Sequence, residues 1–183
     1  MALKGDFAKL HKMVLKVQRL GQPEALQELS DNLSEEAVDL VKGGFAAETD
    51  PYGKRWKSKV FNDGRQVLVG RSQQLRGGWH RTRIDHKGFR ISPSKSAPYA
   101  KYHQGGTGIF GPRKSPIVPV RAKMLRFTAY GKTSKGNATI FRRSVKGCPK
   151  RMMVPRKGDL PSAWGQAFEE CCHDWFSSYF KKR

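Results

Sequence analysis

The sequence predicts an α+β fold, with helices at both ends of the chain and strands between them. Apolar residues recur at helical spacing over residues 3–20 and again after Pro23. Near the C-terminus, an aromatic stripe with the same periodicity runs from Trp164 to Tyr179. Between these regions, short apolar segments are bounded by glycine and proline, which is typical of strands and turns.

The chain length favours a single domain, because 183 residues can bury a sizeable core. We expect three regions within it: a helical N-terminal region at 1–46, a β-rich core with long loops at 47–158, and a C-terminal helix at 159–183. No apolar run is long enough to cross a bilayer, and the N-terminus lacks the apolar stretch of a secretory signal. These features predict a protein without membrane contact.

The N-terminal region contains one helix whose apolar face carries Phe7, Leu10, Val14 and Val17. Gly21 ends this helix, Pro23 can begin a second one, and the pair Gly43-Gly44 is expected to stop it. Two arrangements remain open: a pair of helices, or one long helix that follows a mobile arm.

The stretch from Pro98 to Phe127 organises the middle of the chain. Its first part, Tyr99–Gln104, is interpreted as a strand, and a glycine-rich loop follows it. Its last part, Ile117–Phe127, is interpreted as a longer strand, with the following residues buried: Val118, Val120, Met124 and Leu125. A loop of this length is usually functional or disordered.

The other elements of the middle region are short. In chain order, we expect a turn over Asp50–Gly53 with Trp56 at the core edge, a strand at Val67–Val69, a helical turn within Ser72–His80, a hairpin over Arg81–Ile91, a flexible loop at Gly131–Asn137 and a strand at Ala138–Val145.

The C-terminal helix has clear start signals, with Asp159 as N-cap and Pro161 in the first turn. One face carries the following stripe: Trp164, Phe168, Cys171, Trp175 and Tyr179. A stripe of this kind is usually core, and an intersubunit contact is the alternative.

The charge of the chain is its strongest compositional signal. Thirty-six Lys and Arg residues against fifteen Asp and Glu residues leave a net charge of +21. Such a surplus bears on partners, because polyanions release counterions when cations bind their phosphates. Nucleic acid is the first candidate partner and an acidic protein surface is the second. Solubility alone needs a net charge of only about 2–8 in a small domain.

Cations cluster around and after the central stretch, with few acids between them. The candidates for contact with DNA phosphates are Arg113, Lys114, Arg121, Lys123, Arg142, Arg143, Lys146, Lys150 and Arg151. No side-chain pattern for base reading is visible, so we expect contact that is independent of sequence.

No catalytic, cofactor-binding or metal-binding constellation emerges from the sequence. The five histidines do not form a metal-ligand spacing, and the glycines at 105–111 lack the Lys-Ser/Thr of a phosphate loop. His103 would need a partner to act as a base, and no neighbour in sequence supplies one, so a structural role is favoured. The three cysteines do not make a disulfide framework and fit a reducing cytosol.

Several segments, taken in order, resemble a family of tailed-phage proteins. Asp50–Trp56 reads Asp-Pro-Tyr-Gly-Lys-Arg-Trp and resembles its D-P-x-G-x-x-W turn. Tyr99–Gly105 resembles its Y-A-x-x-H-Q-x-G segment, and Arg121–Phe127 resembles its basic-apolar segment. Val69–Trp79 and Cys148–Arg151 stand where further motifs occur. Over roughly residues 24–180, this order is similar to that of virion morphogenesis or tail-completion proteins, of the tail S-like and Mu G-like kind.

The resemblance implies a structural virion protein that is not an enzyme. Its fold would be α+β, with a twisted, mainly antiparallel sheet packed by long helices. It would assemble in the host cytoplasm as a ring, with a hexamer expected, at the head–tail junction around double-stranded DNA. Its neighbours would be neck, connector, tail-tube or terminator proteins. The glycine-rich and lysine-rich loops would dock onto those rings, and the candidate assembly residues are Tyr99, Tyr102, His103, Gln104, Gly105 and Gly106. The alternatives are a nucleic-acid-binding protein outside any virion and a nuclease or hydrolase that uses His103.

Overall fold

The computed structural model describes residues 7–59, 64–70, 72–107, 118–119, 121–133, 136–143 and 147–182. Within these residues the α+β class is confirmed. The elements in chain order are α1 (Phe7–Leu20), α2 (Pro23–Ala47), α3 (Gln74–Gly77), β1 (Trp79–Asp85), β2 (Gly88–Pro93), α4 (Ala100–Gly105), β3 (Leu125–Thr133), β4 (Gly136–Arg142) and α5 (Ser162–Lys182). None of these helices has the length and apolar character needed to span a membrane.

The strands form two separate two-stranded sheets in the described part of the chain. The hairpin β1–β2 confirms the prediction for Arg81–Ile91 and is closed by His86 and Lys87. In the second hairpin, β3 pairs antiparallel with β4 from Leu125 opposite Arg142 to Ala129 opposite Ala138, and an irregularity precedes Thr133. The antiparallel strands are therefore as expected, but the single large sheet is replaced by two small ones.

Contacts group the chain into two compact units. Unit 1 comprises the chain up to Leu40, the segment Trp79–Ser92 and the chain from Leu160 onward. Unit 2 comprises Val41–Gly78 and Pro93–Asp159. The single domain stays a prediction. Both units draw on segments that are far apart in sequence.

Unit 1 has a core formed by α1, α2 and α5. Trp175 and Tyr179 from α5 cluster with Ala25, and Leu20 and Leu29 pack against them. The hairpin β1–β2 is tied to α2 because Arg81 forms salt bridges with Asp31 and Glu35.

The aromatic stripe of α5 is mainly core. Trp164, Trp175 and Tyr179 are buried within the single chain. The Phe168 ring packs edge-on against the rings of Trp164 and Phe89. The core interpretation of this stripe is therefore confirmed.

The N-terminal region forms two helices, because α1 ends at Leu20 and α2 begins at Pro23, as predicted. The predicted end of α2 at Gly43-Gly44 is wrong, and the helix continues to Ala47. Val41 and Phe45, at most 1% exposed, anchor this last part. Burying two such side chains gains about 1.5–3 kcal/mol each, which outweighs a cost of about 1 kcal/mol for each glycine.

Two residues of the apolar face of α1 are exposed in the single chain. Val14 is 45% exposed and Val17 is 53% exposed. The helix is held near its C-terminal end instead, where Lys16 Nζ donates to the carbonyl of Phe180 at 2.8 Å. Helical periodicity predicted this helix correctly, although Val14 and Val17 on its apolar face are exposed.

Two strands predicted in the middle region are wrong. Tyr99–Gln104 lies mostly in α4, which starts from a turn where the Ala100 N–H bonds the Ala97 carbonyl at 3.0 Å. Val67–Val69 is a turn with Leu68 at φ +63°, although both valines are buried.

The strand predicted for Ile117–Phe127 begins only at Leu125. Val118 and Met124, predicted to be buried, are 49% and 41% exposed, and Leu125 is partly buried. Val120 lies outside the described residues. The flexible loop predicted at Gly131–Asn137 is largely strand, because β3 extends to Thr133 and β4 begins at Gly136.

Candidate functional site

The segment Asp50–Trp56 forms the predicted turn in unit 2. The carboxylate of Asp50 accepts hydrogen bonds from the backbone N–H groups of Tyr52 and Lys54 at 3.0 and 2.9 Å, and Gly53 adopts φ +79°. This turn delivers Trp56 into the core, where it is buried and meets the ring of Phe45 edge-on at 5.3 Å. The prediction that Trp56 closes the edge of the core is confirmed.

The turn is joined to the segment Cys148–Met153. The indole N–H of Trp56 donates to the carbonyl of Met152 at 2.9 Å. The Arg151 guanidinium donates to the carbonyls of Lys57 and Ser58 at 2.9 and 3.1 Å. Arg151 is 7% exposed, so its assignment as a DNA-facing cation is wrong. Its charge is used to hold two backbone segments together.

Helix α4 joins the same network through Gln104. Its side-chain amide donates to the carbonyl of Val154 at 2.6 Å and accepts from the N–H groups of Met153 and Val154 at 2.7 and 3.2 Å. The N–H of Arg151 donates to the carbonyl of His103 at 2.8 Å. Three segments that carry the phage resemblance thus meet in one hydrogen-bonded network.

Gly106 follows α4 at a point of close approach. It adopts φ +70°, and a Cβ there would lie 2.9 Å from the backbone nitrogen of Lys150. A side chain is therefore excluded both by conformation and by space. The assignment of Gln104 and Gly106 as docking residues is corrected, because both are used inside unit 2. Tyr99, Tyr102 and Gly105 are exposed and stay assembly candidates.

Unit 2 also contains a cysteine–histidine pair that sequence reasoning missed. The Sγ atom of Cys148 lies 3.0 Å from Nδ1 of His103. Burial lowers the pKa of His103 from its ordinary 6.5, and the nearby Arg151 lowers it further. Burial raises the pKa of the Cys148 thiol above its ordinary 9.0 against the opposing effect of Arg151. Both groups are therefore neutral at pH 7. Their separation of 45 positions along the chain hid the pair from sequence analysis.

We expect the His103→Gln variant to lose less stability in acid than the wild type. The folded-state pKa of His103 lies below 6.5, so the unfolded chain binds the proton first as pH falls through 6.5. Protonation of His103 in the unfolded chain therefore reduces the stability of the wild type between pH 6.5 and the lower folded-state pKa. The glutamine variant has no group that takes up this proton. Urea unfolding midpoints at pH 7.5 and 5.5 measure the difference. Equal losses in both proteins would contradict the prediction.

A basic cleft of about 400 Å³ opens beside the turn in unit 2. Tyr52 spans part of it: its hydroxyl donates to the carbonyl of Asp159 at 3.2 Å and accepts from the N–H of Arg156 at 3.1 Å. The cations that line the basic cleft are all exposed: Lys54, Arg55, Lys57, Lys150 and Arg156. Only Lys150 among them was a candidate from sequence, because the others lie in separate segments.

A second group of exposed cations lies on the β3–β4 hairpin and the residues that flank it. Arg121, Lys123, Arg142 and Arg143 are described there and are exposed, as is Arg126. The described residues between 118 and 143 include no Asp or Glu. The other predicted DNA contacts, Arg113, Lys114 and Lys146, lie outside the described residues.

Among the described residues, no cluster of three or more His, Cys, Asp or Glu side chains could hold a metal ion. Comparison of the chain with protein families, curated proteins and solved structures found no match.

Proposed function

We propose that this chain is a structural subunit of a tailed-phage virion, at the head–tail junction. In this proposal, copies form a hexameric ring that completes the tail and helps to join it to the head. The ring surrounds double-stranded DNA without reading its sequence, and the protein catalyses no reaction of its own. It assembles in the host cytoplasm and contacts neighbouring neck, connector or tail-tube proteins.

The observation that carries the proposal is the cationic hairpin β3–β4. Its described cations are exposed, and the described residues from 118 to 143 include no Asp or Glu. A surface of this kind attracts phosphates through charge alone, which suits DNA that moves through a channel. Sequence-specific recognition would instead require side chains that form hydrogen bonds with base edges in a groove.

The network in unit 2 supports a structural role for the segments that resemble the phage family. Asp50, Gln104 and Arg151 use their polar groups on backbone atoms of the chain itself. The Cys148–His103 pair is held in its neutral form by burial, whereas a nucleophilic cysteine needs a lowered pKa. The directions of these two pKa shifts support a structural role for the pair over the hydrolase alternative.

Particles assembled without this protein test the proposal. We expect filled heads and separate tails, with few joined particles in electron micrographs. Restoring the protein to the extract should restore joining. Normal infectious virions in the absence of the protein would contradict the proposed function.

A second candidate function is sequence-independent nucleic-acid binding outside a virion, which the net charge of +21 favours. It predicts affinity for a DNA duplex that falls by about 10³–10⁵ between 50 and 200 mM salt if 6–10 phosphates are contacted. Negative-stain images of the purified protein separate the candidates, because only the first requires a ring.

Under either candidate, reversing two hairpin charges should weaken DNA binding. We expect Arg121→Glu with Arg143→Glu to lower the slope of log affinity against log salt by about 2, because each lost phosphate contact removes about 0.9. A fluorescence titration of a labelled duplex from 50 to 200 mM salt measures this slope. The matched control is Lys87→Glu with Lys95→Glu, which reverses two exposed cations elsewhere. Equal slopes for the two variants would contradict a DNA-facing hairpin.

A further inference from the structure

Unit 1 carries an acidic groove between α2 and α5, with a volume of about 560 Å³. Among the described residues, no lysine or arginine lines its walls. The carboxylates that line it are Glu28, Glu35, Glu36, Asp39, Glu170 and Asp174. These are six of the fifteen acidic residues of a chain whose net charge is +21. The acidic groove is therefore a local exception to the charge of the whole molecule.

The charges of the acidic groove are only partly balanced within the described residues. Arg81 pairs with Glu35 at 3.0 Å, but Glu28, Glu36 and Glu170 form no salt bridge there. The pKa of the Cys171 thiol in this groove is raised first by burial, then by Cys172 and by the carboxylates of Glu36 and Asp174. Like charges held together at a surface disfavour the isolated state.

Trp175 gives a second sign that the acidic groove receives a partner. It lines the groove and is 5% exposed, and its indole N–H has no hydrogen-bond partner among the described residues. Buried indole N–H groups usually find an acceptor.

The basic cleft of unit 2 has the opposite imbalance. Its five cations form no salt bridge with described residues, and Arg156 instead lies over the Tyr52 ring at 5.9 Å. Two carboxylates line the cleft, and that of Asp50 already accepts two backbone hydrogen bonds within the turn. The cleft is thus a concave surface of excess positive charge with an aromatic wall formed by Tyr52 and Trp56.

We propose that the acidic groove of one copy docks against the basic cleft of a second copy. This inference rests on the proposed ring and names the surfaces that join its subunits. Two different patches meet in such a contact, so each copy can engage one neighbour through its groove and another through its cleft. Contacts of this heterologous kind generate closed rings when the rotation closes. Complementary charge sets the register and direction of the contact.

Paired charge reversals test the docking in the full-length chain. The cleft variant is Lys54→Glu with Lys150→Glu, and the groove variant is Glu36→Lys with Glu170→Lys; all four residues are at least partly exposed. We expect each variant alone to self-associate on the order of 100-fold more weakly than wild type in 0.1 M salt, by sedimentation velocity. Circular dichroism and urea midpoints establish that both variants fold.

Mixing the two variants is the decisive measurement. The reversed groove of one variant is complementary to the reversed cleft of the other, and their unreversed surfaces also match. We therefore expect an equimolar mixture to recover oligomers, and all four substitutions in one chain to recover them as well. The pair Lys87→Glu with Lys95→Glu serves as a control that should leave assembly unchanged.

Three results would overturn the docking proposal: variants that assemble like wild type, a mixture of folded variants that stays dissociated, or a wild-type chain that never self-associates. Loss of DNA affinity with normal assembly in the cleft variant would identify DNA as the occupant of the cleft instead. The joining of heads to tails is measured separately. If the wild type forms rings and the charge-reversal variants assemble equally well, the docking proposal is overturned and the proposed function stands.

Discussion

Replacing Gln104 with alanine is expected to lower the free energy of unfolding by about 3–5 kcal/mol. The side-chain amide satisfies the carbonyl and N–H of Val154 and the N–H of Met153. Its removal leaves three backbone groups without their partner, and an unsatisfied buried group costs about 1–3 kcal/mol. Total stabilities are only about 5–15 kcal/mol, so this loss is a large fraction.

The comparison for Gln104 is Lys101→Ala, on the exposed side of the same helix. Urea denaturation of both variants gives the two free energies, and only the Gln104 variant should lose more than about 1 kcal/mol. Gln104→Glu keeps the acceptor for Met153 and loses the donor to Val154, so an intermediate loss is expected. If Gln104→Ala unfolds at the wild-type midpoint, the network does not stabilise the chain.

Replacing Arg151 with alanine is expected to cost about 3–5 kcal/mol of unfolding free energy. Hydrogen bonds from a charged group contribute about 1.5–3 kcal/mol each, and this guanidinium makes two, to the carbonyls of Lys57 and Ser58. Arg151→Lys should recover only part of the loss, because one ammonium does not reproduce the planar donor pair.

The neighbouring Lys150 is exposed and provides the matched control. Lys150→Ala should change the unfolding free energy by less than about 0.5 kcal/mol, as is usual for surface substitutions. The variant Arg151→Lys also tests the conclusion that Arg151 does not face DNA. If Arg151→Lys remained as stable as wild type but bound DNA more weakly, Arg151 would be a DNA contact after all.

Local sequence patterns predicted the helices and hairpins, but they did not predict which polar side chains bind the backbone of distant segments. The starts of α2 and the hairpin β1–β2 follow from Pro23 and from alternation in β1, which act over a few residues. Arg151 and Gln104 looked like surface residues because polarity alone favours exposure. Their partners are about 50 to 94 residues away in sequence, so no local pattern could reveal them.

The candidate site was predicted only in outline for the same reason. Exposed cations near β3 and β4 could be recognised from composition, and four of them, Arg121, Lys123, Arg142 and Arg143, are exposed. The basic cleft needed the fold, because Lys54, Lys57 and Arg156 come together only when the turn meets the segment after Cys148. Helix α4 was taken for a strand because tyrosines at its start favour strands, while the buried Ala97 and Ala100 favour the compact turn that is observed.

The long-range bonds of unit 2 have a consequence for synthesis on the ribosome. Trp56 and Gln104 find their acceptors in Met152 and Val154, and the core of unit 1 requires Trp175 and Tyr179. Both units therefore stay incomplete until these four residues have emerged. Nascent chains would expose unsatisfied groups up to that point, and the emergence of residues 152–179 sets the earliest moment at which both units can fold.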